Sequence, residues 1–371
     1  MQIVSIGSWC GPEAGDEIQA RCGRAAGLAA VVLAAACVPG PGPAAKPDGP
    51  FLIKHGWDAP SPRFVHDHVE EMERLPFDGT IISLGALSKR VQRQQPMDVG
   101  ETTSALAPLR TTRFTRLRHN FALVYATPAG SFFDDYSVPA SNFANLAAAA
   151  READLEGIAY DNEEYFGPTA RYPENCSGSS VARCRDQARL RGKQVMDAMR
   201  LAWPDIRVIV FLGAWVSEPR TADVLGPAMN FNDVASANQV MGSFIVGMVE
   251  STVGTRARVI DAGQLYTVRS RRQFARFRSW QKEGMARSSD LIPDSLQSQW
   301  SSTVSAGAMV YDQPWIDVGM DETVWGSTID NALKSVDDYV MVYTERYDWW
   351  GTGWPTTRVP VGWVEATRQA R

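Results

Sequence analysis

Two acidic residues stand two positions apart at the end of a short apolar segment in the middle of the chain. The segment Leu155–Glu163 reads LEGIAYDNE, and Asp161 and Glu163 close it. If Gly157–Asp161 is a strand, the two acids share one face, because side chains alternate along a strand. One carboxyl can then protonate a leaving oxygen, while an ionised neighbour raises its pKa by repulsion. The spacing predicts a proton donor at Glu163 with an ionised Asp161 beside it.

Aromatic and polar residues follow the ends of the other predicted strands. The residues expected to bind a substrate are His55, Trp57, Asp58, Tyr165, Trp215, Tyr266, Tyr311, Asp312, Trp315 and Trp349, with Asp261 and Gln264 as weaker candidates. Aromatic faces with a polar edge suit sugar rings, which present C–H groups for stacking. Most of the 12 Trp, 10 Tyr and 14 Phe are expected in the core. A carbohydrate substrate nevertheless accounts for acids and rings together.

Glu345 is a third candidate catalytic residue, placed just after the last predicted strand. As a second carboxylate opposite Glu163 or Glu164, it would complete the pair that hydrolyses a glycosidic bond. A retaining enzyme needs the two carboxyls about 5–5.5 Å apart, and an inverting enzyme roughly 6.5–9.5 Å. Glu164 alternates with Glu163 and is expected to point away. An ion pair of Glu345 with Arg346 or Arg116 is an equally good interpretation.

Short apolar strands alternate with helical segments from Phe51 onward, which predicts an α/β fold with a parallel sheet. The predicted strands are Phe51–Trp57, Gly79–Leu84, Asn120–Ala126, Gly157–Asp161, Arg207–Gly213, Arg258–Tyr266, Ala306–Tyr311 and Tyr339–Thr344. Eight strands favour a closed (β/α)₈ TIM barrel over an open sheet. No G-x-G-x-x-G or P-loop follows the first strand, which disfavours nucleotide binding. Acids and rings at strand ends are therefore expected to meet at the C-terminal rim.

The segment Leu155–Glu163 resembles the fourth-strand signature of the chitinase-like glycoside hydrolases: apolar, acid, Gly, apolar, Asp, apolar, Asp, any residue, Glu. By this resemblance Glu163 would be the acid, and Asp161 would orient an N-acetyl group of the substrate. The pattern departs at Ala159, where that family has another Asp. Met309–Asp312 is also similar to a strand-end motif of the family, although it falls on the seventh predicted strand, one later than expected.

The wider pattern resembles a set of uncharacterised bacterial TIM-barrel glycoside hydrolases. The matching segments are Gly56–Pro60, Pro76–Gly79, Asn120–Phe121, Phe133–Asp135, Asp161–Tyr165 and Tyr343–Glu345. This resemblance implies hydrolysis of an oligo- or polysaccharide, without a firm substrate.

Other functions fit the composition less well. A net charge of -5 and a pI of about 5.5 do not favour nucleic acid as a partner. A deacetylase or esterase would need a metal triad or a nucleophile elbow, but the chain has 4 His and no G-x-S-x-G. Neither a metal nor an organic cofactor is expected. The main alternative is a non-catalytic carbohydrate-binding protein of the cell envelope, which would keep the rings without a working acid pair.

Residues 1–50 are expected to be an export signal followed by a tether, and residues 51–371 a single catalytic barrel domain. Ala25–Val38 is an apolar run behind a basic flank, too short to span a bilayer but typical of a signal peptide. Small residues before Cys37 resemble a lipoprotein signal, which predicts lipidation of Cys37 and a lipid anchor at the cell envelope. Ordinary cleavage nearby, with secretion, is the alternative. Val38–Pro50 is a Pro/Gly tether.

Cys176 and Cys184 are the only cysteines beyond the tether. In an exported chain, this pair predicts a disulfide that braces the loop after the fourth strand, with two free thiols as the alternative. His66 and His68 lie two apart on a predicted helix and face different directions, so they do not predict a metal site.

Overall fold

The computed structural model of the chain describes residues 49–225, 238–264, 266–312 and 319–371. Its nine strands are β1 Phe51–Gly56, β2 Gly79–Ile82, β3 Phe121–Tyr125, β4 Gly157–Asp161, β5 Arg207–Val210, β6 Arg258–Asp261, β7 Val304–Ala306, β8 Ala308–Tyr311 and β9 Tyr339–Thr344. They pair in parallel in the order β7-β6-β5-β4-β3-β2-β1-β9-β8. The strands form a nearly closed barrel with helices between them, which confirms the predicted TIM barrel.

The two ends of the sheet belong to one continuous segment, in which only Gly307 separates β7 from β8. β7 pairs with β6, whereas β8 pairs with β9. A Cβ on Gly307 would lie 2.8 Å from the carbonyl oxygen of Asp261 and 3.1 Å from that of Tyr339. Only glycine fits this approach, because it has no side chain to meet the two neighbouring backbones. The predicted seventh strand is therefore two short strands that pair with different neighbours.

Helices fill the connections between the strands. Their bounds are Pro62–Met72, Val99–Leu106, Ser137–Glu152, Val181–Ala202, Thr221–Leu225, Met241–Thr252, Arg271–Ser279, Met285–Ser288, Asp294–Thr303, Glu322–Leu333 and Val361–Gln369. The longest begins after Ser180, whose hydroxyl accepts the N–H of Arg183 and caps the first turn. Among the helices within the described ranges, none combines the length and the apolarity that crossing a bilayer requires.

Side-chain alternation sorts the apolar strand residues into two layers. The barrel interior is filled by Ile53, Ile81, Phe121, Leu123, Ala159, Ile209, Phe211, Ile260, Ala262, Met309, Tyr339 and Met341. Their sequence neighbours, such as Leu52, Ile158 and Val340, pack against the helices. On β1 the same alternation directs His55 into the barrel mouth and Lys54 outward, into the layer between the sheet and the helices.

The loop after β4 is stabilised by hydrogen bonds and an ion pair within it, and by a disulfide to the helix that follows it. Cys176 and Cys184 form a disulfide with Cα atoms 5.3 Å apart, and both residues are fully buried. Within the loop, Glu164 accepts the backbone N–H of Thr169 at 2.7 Å and pairs with the guanidinium of Arg171. Glu164 therefore has a structural role, and the loop around it is held in shape at the barrel rim.

Replacing both cysteines, Cys176→Ser with Cys184→Ser, is expected to lower the free energy of unfolding. The sequence separation is 8 residues. Releasing so short a loop restores modest entropy to the unfolded chain, worth about 2.5 kcal/mol. Urea unfolding of the oxidised protein and the variant measures the difference. An unchanged midpoint at equal slope would show that the bridge contributes nothing to stability.

Candidate functional site

A cleft of about 690 Å³ opens at the C-terminal ends of the strands. It is lined by His55, Gly56, Trp57, Ala59, Ser83, Lys89, Tyr125, Asp161, Tyr165, Phe166, Tyr266, Tyr343, Glu345 and Trp354. Six of the residues predicted from sequence are among them: His55, Trp57, Asp161, Tyr165, Tyr266 and Glu345. The cleft thus lies at the end of the barrel where TIM-barrel proteins bind their ligands.

Asp161 and Glu163 lie at the end of β4, close enough for the charge of Glu163 to affect the pKa of Asp161. The backbone N–H of Glu163 donates to Oδ1 of Asp161 at 3.3 Å. Burial, followed by the neighbouring carboxylate, raises the pKa of Asp161 well above its usual range. Burial also raises the pKa of Glu163, but donors on Tyr165 and Gln264 oppose that shift. The sequence predicts an ionised Asp161, whereas the structure raises the pKa of Asp161 more strongly than that of Glu163, because fewer hydrogen-bond donors reach Asp161.

Glu345 is held by two phenols rather than by an arginine. The hydroxyls of Tyr311 and Tyr343 donate to its two carboxylate oxygens, each at 2.8 Å. Burial and the nearby Tyr266 and Glu345 raise the pKa of Tyr343, so this phenol stays protonated and remains a donor. Among the described residues no ion pair to Glu345 is present, and the predicted alternative of an arginine partner is not what the structure shows.

Aromatic side chains form the exposed walls of the cleft. Trp57 and Trp354 are 41% and 57% exposed, and their rings stack with centroids 6.0 Å apart and planes inclined by 15°. Tyr165 and Phe166 are exposed on loop positions that line the same cleft. Large flat rings that remain open to solvent at a concave site can stack on sugar C–H faces.

His55 lies on the floor of the cleft and is 3% exposed. Burial, followed by the charge of Lys54, lowers the pKa of His55 to about 3. The imidazole is therefore neutral at physiological pH, with one nitrogen that donates and one that accepts. Its Nδ1 is buried and finds no hydrogen-bond partner among the described residues. Such an atom can bind a polar group of a ligand, such as a sugar hydroxyl.

Two predicted substrate-binding tryptophans lie away from the cleft. Trp215 is fully buried, packs edge-on against Phe277, and donates from Nε1 to Asp261 at 3.1 Å. Trp349 is also fully buried and packs edge-on against Phe77. Both belong to the layer between sheet and helices. Both residues follow a strand end, as the sequence predicts, but their side chains pack toward the helices and do not line the cleft.

Asp58 and Asp312 are likewise buried beneath the site instead of lining it. Asp58 pairs with Lys54 and accepts the backbone N–H of Trp349 at 2.8 Å. Asp312 accepts the backbone N–H of Glu345 at 2.9 Å, and burial raises the pKa of Asp312 to about 7. These carboxylates bind backbone groups, and neither is among the residues that line the cleft.

Two predicted residues, Trp315 and the lipidation candidate Cys37, lie outside the described residues, as does nearly all of the predicted export segment and tether. The cleft residues that the sequence did not predict as site residues are Gly56, Ala59, Ser83, Lys89, Tyr125, Phe166, Tyr343 and Trp354. Alternation with Glu345 offered a signal for Tyr343, whereas Trp354 lies in a loop far beyond its strand. In the part of the chain that the structure describes, no three His, Cys, Asp or Glu side chains are grouped to bind a metal ion.

No protein-family model matches the chain, and no curated protein sequence matches it either. The solved structures to which the chain is similar include the following three, each at 12% identity. The first is 3-keto-D-glucoside 4-epimerase YcjR from E. coli, which covers 87% of this chain and 99% of its own, with a TM-score of 0.40. The second is the glycoside hydrolase family 5 enzyme PbGH5A from Prevotella bryantii B14, with coverages of 86% and 95% and a TM-score of 0.43. The third is a psychrophilic glycoside hydrolase family 10 endo-β-1,4-xylanase, with coverages of 86% and 96% and a TM-score of 0.44. At such low identities and TM-scores, these similarities do not indicate what this chain binds.

Proposed function

We propose that the chain is a glycoside hydrolase that cleaves an oligo- or polysaccharide. The observation that supports this most directly is the arrangement of acids: Asp161 at the end of β4 and Glu345 just after β9 line one cleft. Glu163, two residues after Asp161, does not itself line the cleft, but it accepts the hydroxyl hydrogen of the lining residue Tyr165 and lies close enough to Glu345 for the two charges to interact. The stacked rings of Trp57 and Trp354 at the same cleft suit a sugar. Export to an oxidising compartment belongs to the same proposal, since the chain contains a disulfide.

In the proposed reaction, Glu163 is the proton donor. Sugar bound over Glu163 displaces water, which raises the pKa of Glu163 further, so that Glu163 holds a proton while Asp161 is ionised. Glu163 then protonates the glycosidic oxygen as the bond from that oxygen to the anomeric carbon breaks. In one route Glu345 forms the new bond to the anomeric carbon, and a water molecule deprotonated by Glu163 then displaces Glu345 and releases the sugar. In the other route a water molecule that Glu345 deprotonates forms the bond directly. The phenols of Tyr311 and Tyr343 orient Glu345 for this step.

The proposed function is tested by incubating the protein with neutral, N-acetylated and acidic oligosaccharides and measuring new reducing ends. Hydrolysis of at least one class by the wild type, abolished in Glu163→Gln, is the expected result. Because Ala159 fills a position inside the barrel where chitinase-like enzymes have an acid, we expect the neutral oligosaccharides to be cleaved best. Absence of cleavage across the panel would refute the proposal.

Asp161→Asn is expected to slow turnover and to move the basic limb of the kcat/KM profile to lower pH by about one unit or more. The reason is that an amide cannot repel the charge on Glu163, so the pKa of Glu163 falls and its proton is lost at lower pH. Asp261→Asn is the matched control, since Asp261 is a buried acid on β6 that binds Trp215 outside the cleft. A basic limb that stays in place in Asp161→Asn would mean that the two acids do not titrate together.

A second candidate function is non-catalytic carbohydrate binding. The exposed Trp57–Trp354 stack favours it, because a ring platform binds sugar whether or not an acid is active. Calorimetry with the same oligosaccharides separates the two functions. Binding that Trp354→Ala weakens, together with no hydrolysis by the wild type, would support this candidate.

A further inference from the structure

The loop after β9 supplies the cleft with two different groups, the carboxylate of Glu345 at its start and the indole of Trp354 near its end. The start of the loop is fixed by Asp312. This side chain is fully buried, and its Oδ1 accepts the backbone N–H of Glu345 at 2.9 Å and that of Arg346 at 3.3 Å. Asp312 thus fixes the backbone from which the Glu345 side chain reaches Tyr311 and Tyr343.

The end of the loop is fixed by Asp348, which is 2% exposed. Its carboxylate accepts three backbone N–H groups, from Gly351 at 2.7 Å, Thr352 at 3.1 Å and Gly353 at 2.9 Å. These three residues immediately precede Trp354. A carboxylate that accepts three successive backbone N–H groups holds the turn in one shape, so Asp348 fixes the backbone that leads into Trp354.

A buried lysine links these two anchors. Lys54 is fully buried on β1, and its ammonium pairs with Asp58 and donates to the carbonyl of His55 at 2.9 Å. Asp58 in turn accepts the N–H of Trp349 in the middle of the loop, at 2.8 Å. The ammonium also attracts the carboxylates of Asp312 and Asp348. A buried carboxylate without a nearby cation would be costly. Lys54 lies near all three acids, and Asp348 has a second cation in Arg358, whose guanidinium is 3.4 Å from its carboxylate.

We propose that Asp312 and Asp348 are positioning residues with separate effects on one loop: Asp312 places Glu345 for the chemical step, and Asp348 places Trp354 for sugar binding. The inference rests on the proposed function of this cleft. It predicts that one substitution changes mainly kcat and the other mainly KM, although both acids are buried and both bind backbone N–H groups of the same loop.

The test compares Asp312→Ala with Asp348→Ala on an oligosaccharide that the wild type cleaves. Asp312→Ala is expected to lower kcat tenfold or more with KM changed less than threefold. Asp348→Ala is expected to raise KM, and the Kd measured by calorimetry, fivefold or more with kcat changed less than threefold. Asp312→Asn keeps an oxygen that can accept both backbone N–H groups and is expected to restore most of the loss. Asp348→Asn keeps an acceptor for Gly351 and Thr352 but not for Gly353, and is expected to restore part of it.

Asp337→Ala is the matched control. Asp337 also accepts a backbone N–H, that of Ala306 at 3.1 Å, and pairs with Lys282. It lines a separate cavity with the residues that begin β5 and β6, at the opposite end of the barrel from the cleft. This variant is expected to lower the melting temperature without changing kcat or KM. Where an alanine variant fails to fold, Asp312→Leu or Asp348→Leu fills the volume and removes the acceptor.

The same change in kcat and the same change in KM in both alanine variants, or failure of Asp312→Asn to restore kcat, would overturn the inference. If the wild type cleaves no oligosaccharide, the proposed function fails but the inference is still decided. Calorimetry must then show weaker binding in Asp348→Ala and unchanged binding in Asp312→Ala. A crystal structure of Asp312→Ala must show Glu345 released from Tyr311 and Tyr343. Glu345 in its original place would refute the inference.

Discussion

Glu163→Gln is expected to lower kcat by a factor of about 10²–10⁴, which is the usual contribution of a general acid. The amide has the shape of the acid and can still accept the hydroxyl hydrogen of Tyr165, so the cleft keeps its form. It has no proton of suitable acidity to give to the glycosidic oxygen. Affinity for an uncleaved oligosaccharide is therefore expected to change less than about threefold. Initial rates and calorimetry on the same preparation measure both quantities.

Glu164→Gln is the control for this variant. Glu164 is the next residue, but its carboxylate is engaged with Arg171 and the N–H of Thr169 away from the cleft. It is expected to lose some stability and to keep kcat. Near-normal turnover by Glu163→Gln would exclude Glu163 as the proton donor. Asp161, which lines the cleft and has a pKa raised well above its usual range, would then be the first residue to test.

Most of the barrel could be predicted because strand patterns are local. Strands such as Gly157–Asp161 and Tyr339–Thr344 begin and end as the apolar runs indicate. Others are shorter than predicted: β5 ends at Val210 instead of Gly213. The residues past a strand end remain apolar because they line the barrel mouth, as Phe211 does. The division of the seventh strand at Gly307 depends on backbone atoms of β6 and β9, which no local pattern reveals.

The candidate site was predictable where alternation along a strand decides the direction of a side chain. Asp161 follows from the alternation of β4, and Glu345 continues that of β9 past the strand end. Beyond the strand ends, alternation no longer predicts the direction of a side chain, because the backbone of a loop is not extended. Trp349 and Trp354 illustrate this: they stand in the same loop, yet one is fully buried and the other is 57% exposed. The difference comes from two buried acids that bind the loop backbone: Asp58 accepts the N–H of Trp349, and Asp348 accepts the N–H groups just before Trp354.

Replacing Glu345 by alanine is expected to lower kcat by about a thousandfold, because the anomeric carbon then lacks the negative charge or activated water that it needs. Added azide is expected to restore part of the rate. A small anion fits the space left by the carboxylate and can bond to the anomeric carbon, so the product would be a glycosyl azide. Mass spectrometry identifies that product, and the rate at rising azide concentration measures the rescue.

The tyrosines that hold Glu345 supply the comparison for this experiment. Tyr311→Phe and Tyr343→Phe each remove one 2.8 Å hydrogen bond and leave the ring in place. A hydrogen bond to a charged group contributes about 1.5–3 kcal/mol, so each change is expected to slow turnover by roughly ten- to a hundredfold. Azide should not rescue either variant, since the carboxylate still fills its place. Rescue of the tyrosine variants, or normal turnover by Glu345→Ala, would remove Glu345 from the reaction and leave the Asp161–Glu163 pair as its only acids.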